Sequence, residues 1–314
     1  MTALLEVADL VKHYAVRGGA LRAVDGVSFT LDRGETLALV GESGCGKSTV
    51  GRCILRLVRP TAGQVTLAGQ RIDTLPERRL RPLRRHMQVV FQDPFSSLNP
   101  RQRVRDVIAE PLRNFALASG AALTARVAEL LDQVGLPASA MHRLPHEFSG
   151  GQRQRIGIAR ALAPGPDLLV CDEAVSALDV SVKAQIVNLL LGLQERLGLG
   201  LLFISHDLAI VEHLTHRVAV MYLGQIVELA DRRALFATPR HPYTRALLSA
   251  VPVPDPAAPR HRTVLRGDVP SALAPPTGCR FHTRCPVAFD RCRVAAPATR
   301  QVAAGHSVAC HLET

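Results

Sequence analysis

A glycine-rich run near the N-terminus has the composition and spacing of a phosphate-binding loop. Residues Gly41 to Ser48 read GESGCGKS and fit the pattern G-x-x-x-x-G-K-S/T. The glycines allow a tight turn in which several backbone N–H groups point at one phosphate. Lys47 would then contact the β- and γ-phosphates, and Ser48 would offer its hydroxyl to Mg²⁺. The run therefore predicts binding of a nucleoside triphosphate.

A pair of acids follows a second apolar run, DLLVCDE at Asp167 to Glu173. Asp172 would reach Mg²⁺ directly or through water, and Glu173 would polarise an attacking water as general base. Two acids after a strand often form only a solvated turn. Behind a P-loop in the same chain, they indicate hydrolysis of ATP.

The elements that must position these residues alternate between strands and helices. Apolar strands are expected at ETLALV before the loop and, later, at MQVVFQ, DLLVCDE, GLLFISHD and RVAVMYLGQIVEL. Residues from about 93 to 165 form a mostly helical block, with amphipathic periodicity in VAELLDQVGL. Alternation of strand and helix predicts a parallel α/β sheet, and the helical block predicts an inserted subdomain. After about Phe236 the composition shifts, and the Pro-rich stretch HPYTRALLSAVPVPDPAAPR predicts a short helix followed by an extended linker.

The composition limits the class of protein. The net charge is +11, almost all of it from Arg, which fits an anionic membrane surface, nucleic acid, or simply Arg on solvated faces. Aromatic residues make up only 4%, which argues against a base-stacking surface. No apolar run approaches the roughly 20 residues that cross a bilayer. The N-terminus lacks the features of a signal peptide, so we expect a cytoplasmic protein with reduced cysteines.

Further motifs resemble the ATP-binding subunits of ABC transporters. The segment SGGQ at Ser149 to Gln152 resembles the signature sequence of that family, and SALD at Ser176 to Asp179 resembles its D-loop. Tyr14, Gln92 and His206 match the adenine-stacking aromatic, the Q-loop glutamine and the switch histidine. The resemblance implies an α/β fold: a P-loop ABC-type ATPase core with a helical subdomain insert and a small C-terminal Cys-containing extension. The expected domains are residues 1–235 and 236–314.

The resemblance also implies the site residues. Catalysis would rest on Glu173, His206 and Gln92. ATP contacts are expected from Tyr14, Gly41, Ser43, Gly44, Cys45, Gly46, Lys47, Ser48, Thr49, Gln92, Asp172, Ser149, Gly150, Gly151, Gln152 and Asp179, and Mg²⁺ contacts from Ser48, Gln92 and Asp172. In this family two subunits pack head to tail, so the signature serves the ATP of the partner. Ala174 and Phe148 differ from the residues that are usual at these positions in the family's motifs. Neither change removes a group that takes part in the chemistry, so an active site is expected.

Longer stretches resemble one branch of the family, the ATPases of dipeptide and oligopeptide importers. They are FQDPFSSLNPR, HDLAIVEHL, MYLGQIVE and HPYTRALLSAVP, and they are most similar to the second, F-type subunit of a dipeptide permease. The resemblance implies a second, non-identical ATPase subunit, two transmembrane permease subunits and, indirectly, an extracytoplasmic binding protein, with no nucleic acid. The chain would lie peripherally on the cytoplasmic face of the inner membrane. Nickel chelates or glutathione remain alternative substrates.

Four of the seven cysteines, Cys279, Cys285, Cys292 and Cys310, lie within the last 36 residues. Their closeness indicates a shared ligand centre, although the spacing is not that of a common zinc ribbon. The segment resembles the tail of peptide-importer ATPases that binds a [4Fe–4S] cluster. A structural zinc site and unliganded thiols stay open as alternatives.

The sequence argues against two functions other than that of a peptide-importer ATPase. A soluble ABC ATPase acting on DNA or ribosomes usually carries long coiled coils or two cassettes, and this chain shows neither. A degenerate, poorly hydrolysing subunit is disfavoured by Glu173 and His206.

Overall fold

The computed structural model describes residues 3–93, 97–251 and 265–313. The chain divides into two compact units. The P-loop unit comprises Glu6–Thr30, Thr36–Thr66 and Ser205–Thr314, and the helical unit comprises Met1–Leu5, Leu31–Glu35 and Leu67–Ile204. The predicted Pro-rich linker falls mostly on residues 252–264, outside the described residues, as do residues 94–96 of the FQDPFSSLNPR segment.

The P-loop unit contains two groups of strands. In the smaller group, β1 (Leu5–Val16) lies between β2 (Gly19–Leu31) and β4 (Ala62–Leu67). In the larger group, β3 (Thr36–Val40) pairs in parallel with β9 (Arg217–Tyr222), for example Val40 with Val220. Every residue of β3 is buried, as expected for a strand covered on both faces. This buried strand fixes the point at which the glycine-rich loop begins.

Five helices of the described chain belong to the P-loop unit. The first, α1 (Lys47–Ile54), starts at the end of the glycine-rich loop. The others lie in the C-terminal part of the chain: α7 (Leu208–Leu214), α8 (Arg232–Ala237), α9 (Pro242–Ser249) and α10 (Asp290–Val294).

The helical unit contains the parallel strands β6 (Met87–Val90), β7 (Leu168–Asp172) and β8 (Gly200–Ser205), in the order β6-β7-β8. A short strand, β5 (Gln70–Arg71), precedes them. Its helices are α2 (Glu77–Leu83), α3 (Val104–Asn114), α4 (Gly120–Gln133), α5 (Gly150–Leu162) and α6 (Val180–Leu197). Helices α3 to α5 confirm the helical block predicted between residues 93 and 165.

The run RVAVMYLGQIVEL, predicted as one apolar run, forms a hairpin of two strands. Strand β10 (Gln225–Asp231) pairs antiparallel with β9, with Gln225 opposite Tyr222. Leu223 and Gly224 form the turn, with φ of 42° and 82°. Positive φ at both central residues matches the twist of a two-residue hairpin, but Leu rarely adopts it. A Leu-Gly turn therefore gave no clear turn signal in the sequence.

The C-terminal extension adds strands to this sheet. Strand β12 (His306–Val308) pairs antiparallel with β10, and β11 (Arg300–Ala303) pairs with β12. The carboxylate of Glu228, on β10, is fully buried and accepts hydrogen bonds from His306 Nε2 at 2.8 Å and from the backbone N–H of Arg240 and His241 at 2.7 and 2.9 Å. A buried carboxylate needs such donors. Glu228 thus joins the extension to the ATPase part of the unit.

An aromatic cluster fills the space below this junction. Phe281, from the extension, packs edge-on against Tyr222 with ring centroids 5.2 Å apart, and its ring lies tilted against that of Tyr243 at 5.3 Å. Tyr222 and Tyr243 are themselves 4.8 Å apart. All three rings are almost completely buried. Tyr243 and Phe281 of the extension therefore share a hydrophobic core with Tyr222 of β9.

Among residues 3–93, 97–251 and 265–313, no helix combines the length and the apolar character needed to cross a membrane.

The buried imidazole of His241 predicts a pH dependence of stability. Its Nδ1 accepts a hydrogen bond from the backbone N–H of Tyr243 at 3.0 Å and caps α9. Burial, with a contribution from Arg245, lowers the pKa of His241 from 6.5 to about 3. The unfolded chain therefore binds a proton below about pH 6.5 that the folded chain does not. This contribution to stability is complete above that pH and decreases as the pH falls towards 3.

His241→Asn tests this, because Asn retains a capping acceptor and removes the titration. We expect the melting temperature of the parent to fall more steeply than that of the variant between about pH 6.5 and pH 5, since one protonation costs up to about 1.4 kcal/mol per pH unit. Equal slopes in thermal denaturation would contradict the assignment.

Candidate nucleotide-binding site

The glycine-rich loop of the P-loop unit encloses the side chain of Lys47. The lysine is only 4% exposed, and its Nζ donates hydrogen bonds to the carbonyl oxygens of Gly41 at 2.8 Å and Glu42 at 2.9 Å. The ammonium group is therefore held inside its own loop, at the N-terminus of α1. Both the positive charge and the helix end favour an anion at this place.

Two positions of the loop require glycine. Gly41 and Gly46 have φ of 149° and 109°. A Cβ atom at Gly41 would lie 2.2 Å from the carbonyl oxygen of Met221, and one at Gly46 would lie 2.1 Å from that of Ala23. Backbone atoms cannot yield at such distances, so any side chain at either position would displace the loop.

The remaining predicted loop residues differ in exposure. Ser43 and Gly44 are exposed, while Ser48 and Thr49 are half-buried in the first turn of α1. Cys45 is buried, and burial raises the pKa of its thiol against the opposing effect of Lys47. A protonated, buried thiol agrees with the interpretation of Cys45 as a tolerated small residue whose backbone forms the loop.

Two further predicted residues lie in the P-loop unit. Tyr14 is half-buried on β1, and the Nζ of Lys12 lies 4.8 Å from the centroid of its ring. His206 is exposed immediately after β8, and the following residue, Asp207, caps α7 by accepting a hydrogen bond from the N–H of Ile210. Both side chains are accessible to a ligand.

The acids Asp172 and Glu173 lie at the carboxyl end of β7 in the helical unit, as the sequence predicts. Glu173 has a positive φ of 49°, which is uncommon for a residue other than glycine. Its backbone N–H donates to Ile204 O at 3.0 Å, and its carbonyl oxygen accepts from the backbone and the hydroxyl of Ser176, each at 3.0 Å. Strained backbone of this kind is typical of functional positions.

The structure brings Gln92 and Glu173 together although 81 positions separate them. Gln92 Nε2 donates a hydrogen bond to Glu173 Oε2 at 2.8 Å, and the pair is exposed to solvent. The amide thereby orients one oxygen of the carboxylate. The two residues predicted for the Q-loop and the general base thus form one constellation.

The predicted signature residues form the N-terminus of α5. Ser149 is the N-cap, and its hydroxyl accepts from Gln152 N at 3.3 Å while Gln152 Oε1 accepts from Ser149 N at 3.1 Å. Gly150 and Gly151 follow in the first turn. Asp179 is the N-cap of α6, without a side-chain capping bond.

The first turns of α5 and α6 touch at Gly151. A Cβ at this position would lie 2.4 Å from Cγ1 of Val182. The close approach of the two helix starts therefore requires the absence of a side chain at Gly151.

Comparisons with known proteins place the chain in a family. Residues 24–176 match the family described as ABC transporter, and residues 227–292 match the family described as oligopeptide/dipeptide transporter, C-terminal region. A Sinorhizobium fredii protein named "Probable peptide ABC transporter ATP-binding protein y4tS" is 55% identical over 99% of this chain and 90% of its own length. The chain belongs to the peptide-transporter group of ABC ATP-binding proteins.

Three further proteins are similar to this chain. The oligopeptide transport ATP-binding protein AppF of Bacillus subtilis is 52% identical over 98% of this chain and 97% of its own length. The solved dimeric ATP-binding cassette MJ0796 with bound ADP and Pi has a TM-score of 0.67 and 28% identity over 73% of this chain and 99% of its own. The cbiO1 protein of Clostridium perfringens, part of the ABC transporter complex cbiONQ, has a TM-score of 0.68 and 27% identity, covering 76% and 92% of the two chains.

The four C-terminal cysteines of this ABC ATP-binding protein are unpaired thiols in the structure. Burial raises the pKa of Cys279 to about 11, and negative charge on any of the other three cysteines acts in the same direction. Backbone N–H groups of Phe281, Val287 and Leu312 donate to Cys279, Cys285 and Cys310. Within the described ranges, however, no three His, Cys, Asp or Glu side chains are arranged to hold a metal ion.

Two residues that contact the phosphate-binding loop were not predicted from the sequence. Tyr243 and Arg284, both in the C-terminal part of this ABC protein, bond to Glu42 of the P-loop. Their distance in sequence, about 200 and 242 residues, leaves no local pattern that could have indicated the contact.

Gly151→Ala and Gly157→Ala form a matched pair on α5. The first substitution places a methyl group against Val182, and we expect it to destabilise the fold by about 1–3 kcal/mol through overpacking, with reduced ATPase activity. The second meets nothing within 4 Å. It should stabilise the helix by about 0.5–1 kcal/mol. Urea unfolding measures both effects, and equal stabilities of the two variants would contradict the proposed close contact.

Proposed function

We propose that this chain binds and hydrolyses MgATP to power the uptake of peptides across the cytoplasmic membrane, as one subunit of an ABC importer. The observation that carries the ATPase part is the buried Lys47 held within a loop that only glycines can form. The match of residues 227–292 and the names of the relatives support peptides as the transported class.

Each site residue has a proposed role in the reaction. Lys47 binds the β- and γ-phosphates, Ser48 and Asp172 bind Mg²⁺, and Tyr14 stacks on adenine. Glu173 acts as general base on the attacking water, oriented by the hydrogen bond from Gln92. His206 binds the γ-phosphate. The N-terminus of α5, with Ser149, Gly150 and Gly151, serves the ATP of a partner subunit through its N–H groups and dipole.

The proposed assembly contains a second, non-identical ATPase subunit and two membrane permease subunits, with an extracytoplasmic binding protein delivering the peptide. The chain would then lie on the cytoplasmic face of the membrane as a peripheral subunit.

Uptake of labelled peptides, compared with nickel chelates and glutathione, by vesicles containing the complex would test the substrate class.

Glu173→Gln tests the chemistry directly. We expect turnover by the assembled complex to fall about 10²- to 10⁴-fold while ATP affinity is retained, because only the proton acceptor is lost. Lys47→Ala should instead reduce ATP affinity. The matched control is Glu195→Gln, an exposed position on α6, which should leave turnover unchanged. Unchanged turnover after Glu173→Gln would show that another residue is the base.

We also propose that Cys279, Cys285, Cys292 and Cys310 bind a [4Fe–4S] cluster, with zinc as the alternative. The support is the donor set, since four thiols in one short segment, three of them with backbone N–H donors, suit either group. Binding would have to bring the four thiols into the geometry of a metal site. When bound, the group would cross-link the extension. Metal binding would also release the thiol protons.

Anaerobic purification with iron, sulfide and zinc analysis measures this site. We expect about four irons per chain for the cluster, or about one zinc for the alternative. Replacement of all four cysteines by serine should abolish the metal. Replacement of Cys53 by alanine, at a buried thiol outside the extension, should not. Equal metal content in the parent and the quadruple variant would refute the proposal.

A further inference from the structure

A salt bridge connects the C-terminal extension to the phosphate-binding loop. The guanidinium group of Arg284 donates through Nη1 to Glu42 Oε2 at 2.6 Å and through Nη2 to Glu42 Oε1 at 3.0 Å. The Arg284 side chain is 7% exposed and that of Glu42 is 28% exposed. Two parallel hydrogen bonds between a guanidinium group and a carboxylate fix the orientation of the two side chains as well as their distance. Burial limits the screening of their charges by solvent.

The backbone of Glu42 is held by a second residue of the C-terminal part. The N–H of Glu42 donates to the hydroxyl oxygen of Tyr243 at 2.9 Å. Tyr243 is fully buried, in the first turn of α9. Residues outside the loop therefore hold both the side-chain carboxylate and the backbone N–H of Glu42.

Glu42 in turn holds the lysine that would bind phosphate. Its carbonyl oxygen accepts hydrogen bonds from Lys47 Nζ at 2.9 Å and from the N–H of Cys45 at 3.3 Å. A displacement of Glu42 would therefore change the position of the Lys47 ammonium group. The chain of contacts runs from Arg284 and Tyr243, through Glu42, to Lys47.

The residues that hold Glu42 are themselves fixed. Phe281 packs against Tyr222 and Tyr243, as described above. Arg280 donates to Asp25 and to the carbonyl oxygen of Leu223 at the β9–β10 turn. The Arg284 guanidinium lies 6.0 Å from the centroid of the Tyr222 ring. A rigid support of this kind can hold a loop in one conformation.

We propose that Arg284 and Tyr243 are positioning residues for ATP binding, which hold Glu42, and through it Lys47, in the phosphate-binding conformation before the nucleotide arrives. The inference rests on the proposed ATPase function and assigns part of that function to the C-terminal extension. Neither Arg284 nor Tyr243 contacts the nucleotide in this role. Loss of either contact lowers the fraction of chains whose loop is in the phosphate-binding conformation. The apparent affinity for ATP then falls by the same factor.

Arg284→Gln in the assembled complex is the main test. We expect the KM for ATP to rise about tenfold while kcat stays close to that of the parent, because the loop population changes and the reacting groups do not. Arg284→Lys, which retains the charge and loses the fork, should recover part of the affinity. Arg291→Gln, at an exposed arginine on α10 of the same extension, is the matched control and should behave as the parent.

A double-mutant cycle with Glu42→Gln separates positioning from general damage. If Arg284 and Glu42 act together, the KM of the double variant should be no higher than that of the more strongly affected single variant. Additive increases would overturn the inference. So would a parent-like KM in Arg284→Gln, or a lowered melting temperature with no change in KM, which would mark the contact as structural only.

Tyr243→Phe keeps the inference testable if Arg284→Gln fails to fold. It removes one hydroxyl group and should weaken ATP binding to the full-length chain, measured by calorimetry, about two- to fivefold. An affinity equal to the parent would overturn the role of Tyr243. These failures differ from failure of the proposed function, in which the parent itself would neither bind nor hydrolyse ATP.

Discussion

The burial of one ammonium group, that of Lys47, is the constraint on which the P-loop unit depends. A charge removed from water needs polar partners, and here they are the carbonyl oxygens of Gly41 and Glu42. Gly41 and Gly46 adopt positive φ, which lets the loop turn tightly around the ammonium group. The fully buried β3 holds one end of the loop, and α1 holds the other. Strand, loop and helix therefore follow one another without a break around the lysine.

The helical unit presents a different constraint, the backbone of Glu173. Its left-handed conformation costs about 1–3 kcal/mol and persists because neighbouring groups hold it. Ile204 and Ser176 supply the backbone hydrogen bonds, and Gln92 holds the carboxylate. The carboxylate is oriented in the free chain. In both units the chemical groups are placed before any ligand is present, which reduces the reorganisation needed during reaction.

Local motifs could be predicted from the sequence, and distant contacts could not. The loop from Gly41 to Ser48 and the acids after β7 depend on neighbouring residues, so their patterns were sufficient. The signature cap, Ser149 with Gln152, is equally local and was identified by resemblance. The β9–β10 turn was missed because it places Leu223 at positive φ. The role of the extension was missed because its strands are only four and three residues long and its contacts to Glu42 and Glu228 arise only in the folded chain.

The strands of the extension have a consequence for the edge of the sheet. Strand β12 covers β10, whose residues are largely buried, and leaves the short strand β11 outermost. The outer pair is interrupted by an irregular register between Gln301 and Ala303, and its residues are mostly exposed. Short, irregular and polar edges resist pairing with other chains, whereas long apolar edges promote it. A chain that ended before Arg300 would expose the backbone of β10 and invite aggregation by strand addition, so the extension also protects this sheet edge from intermolecular pairing.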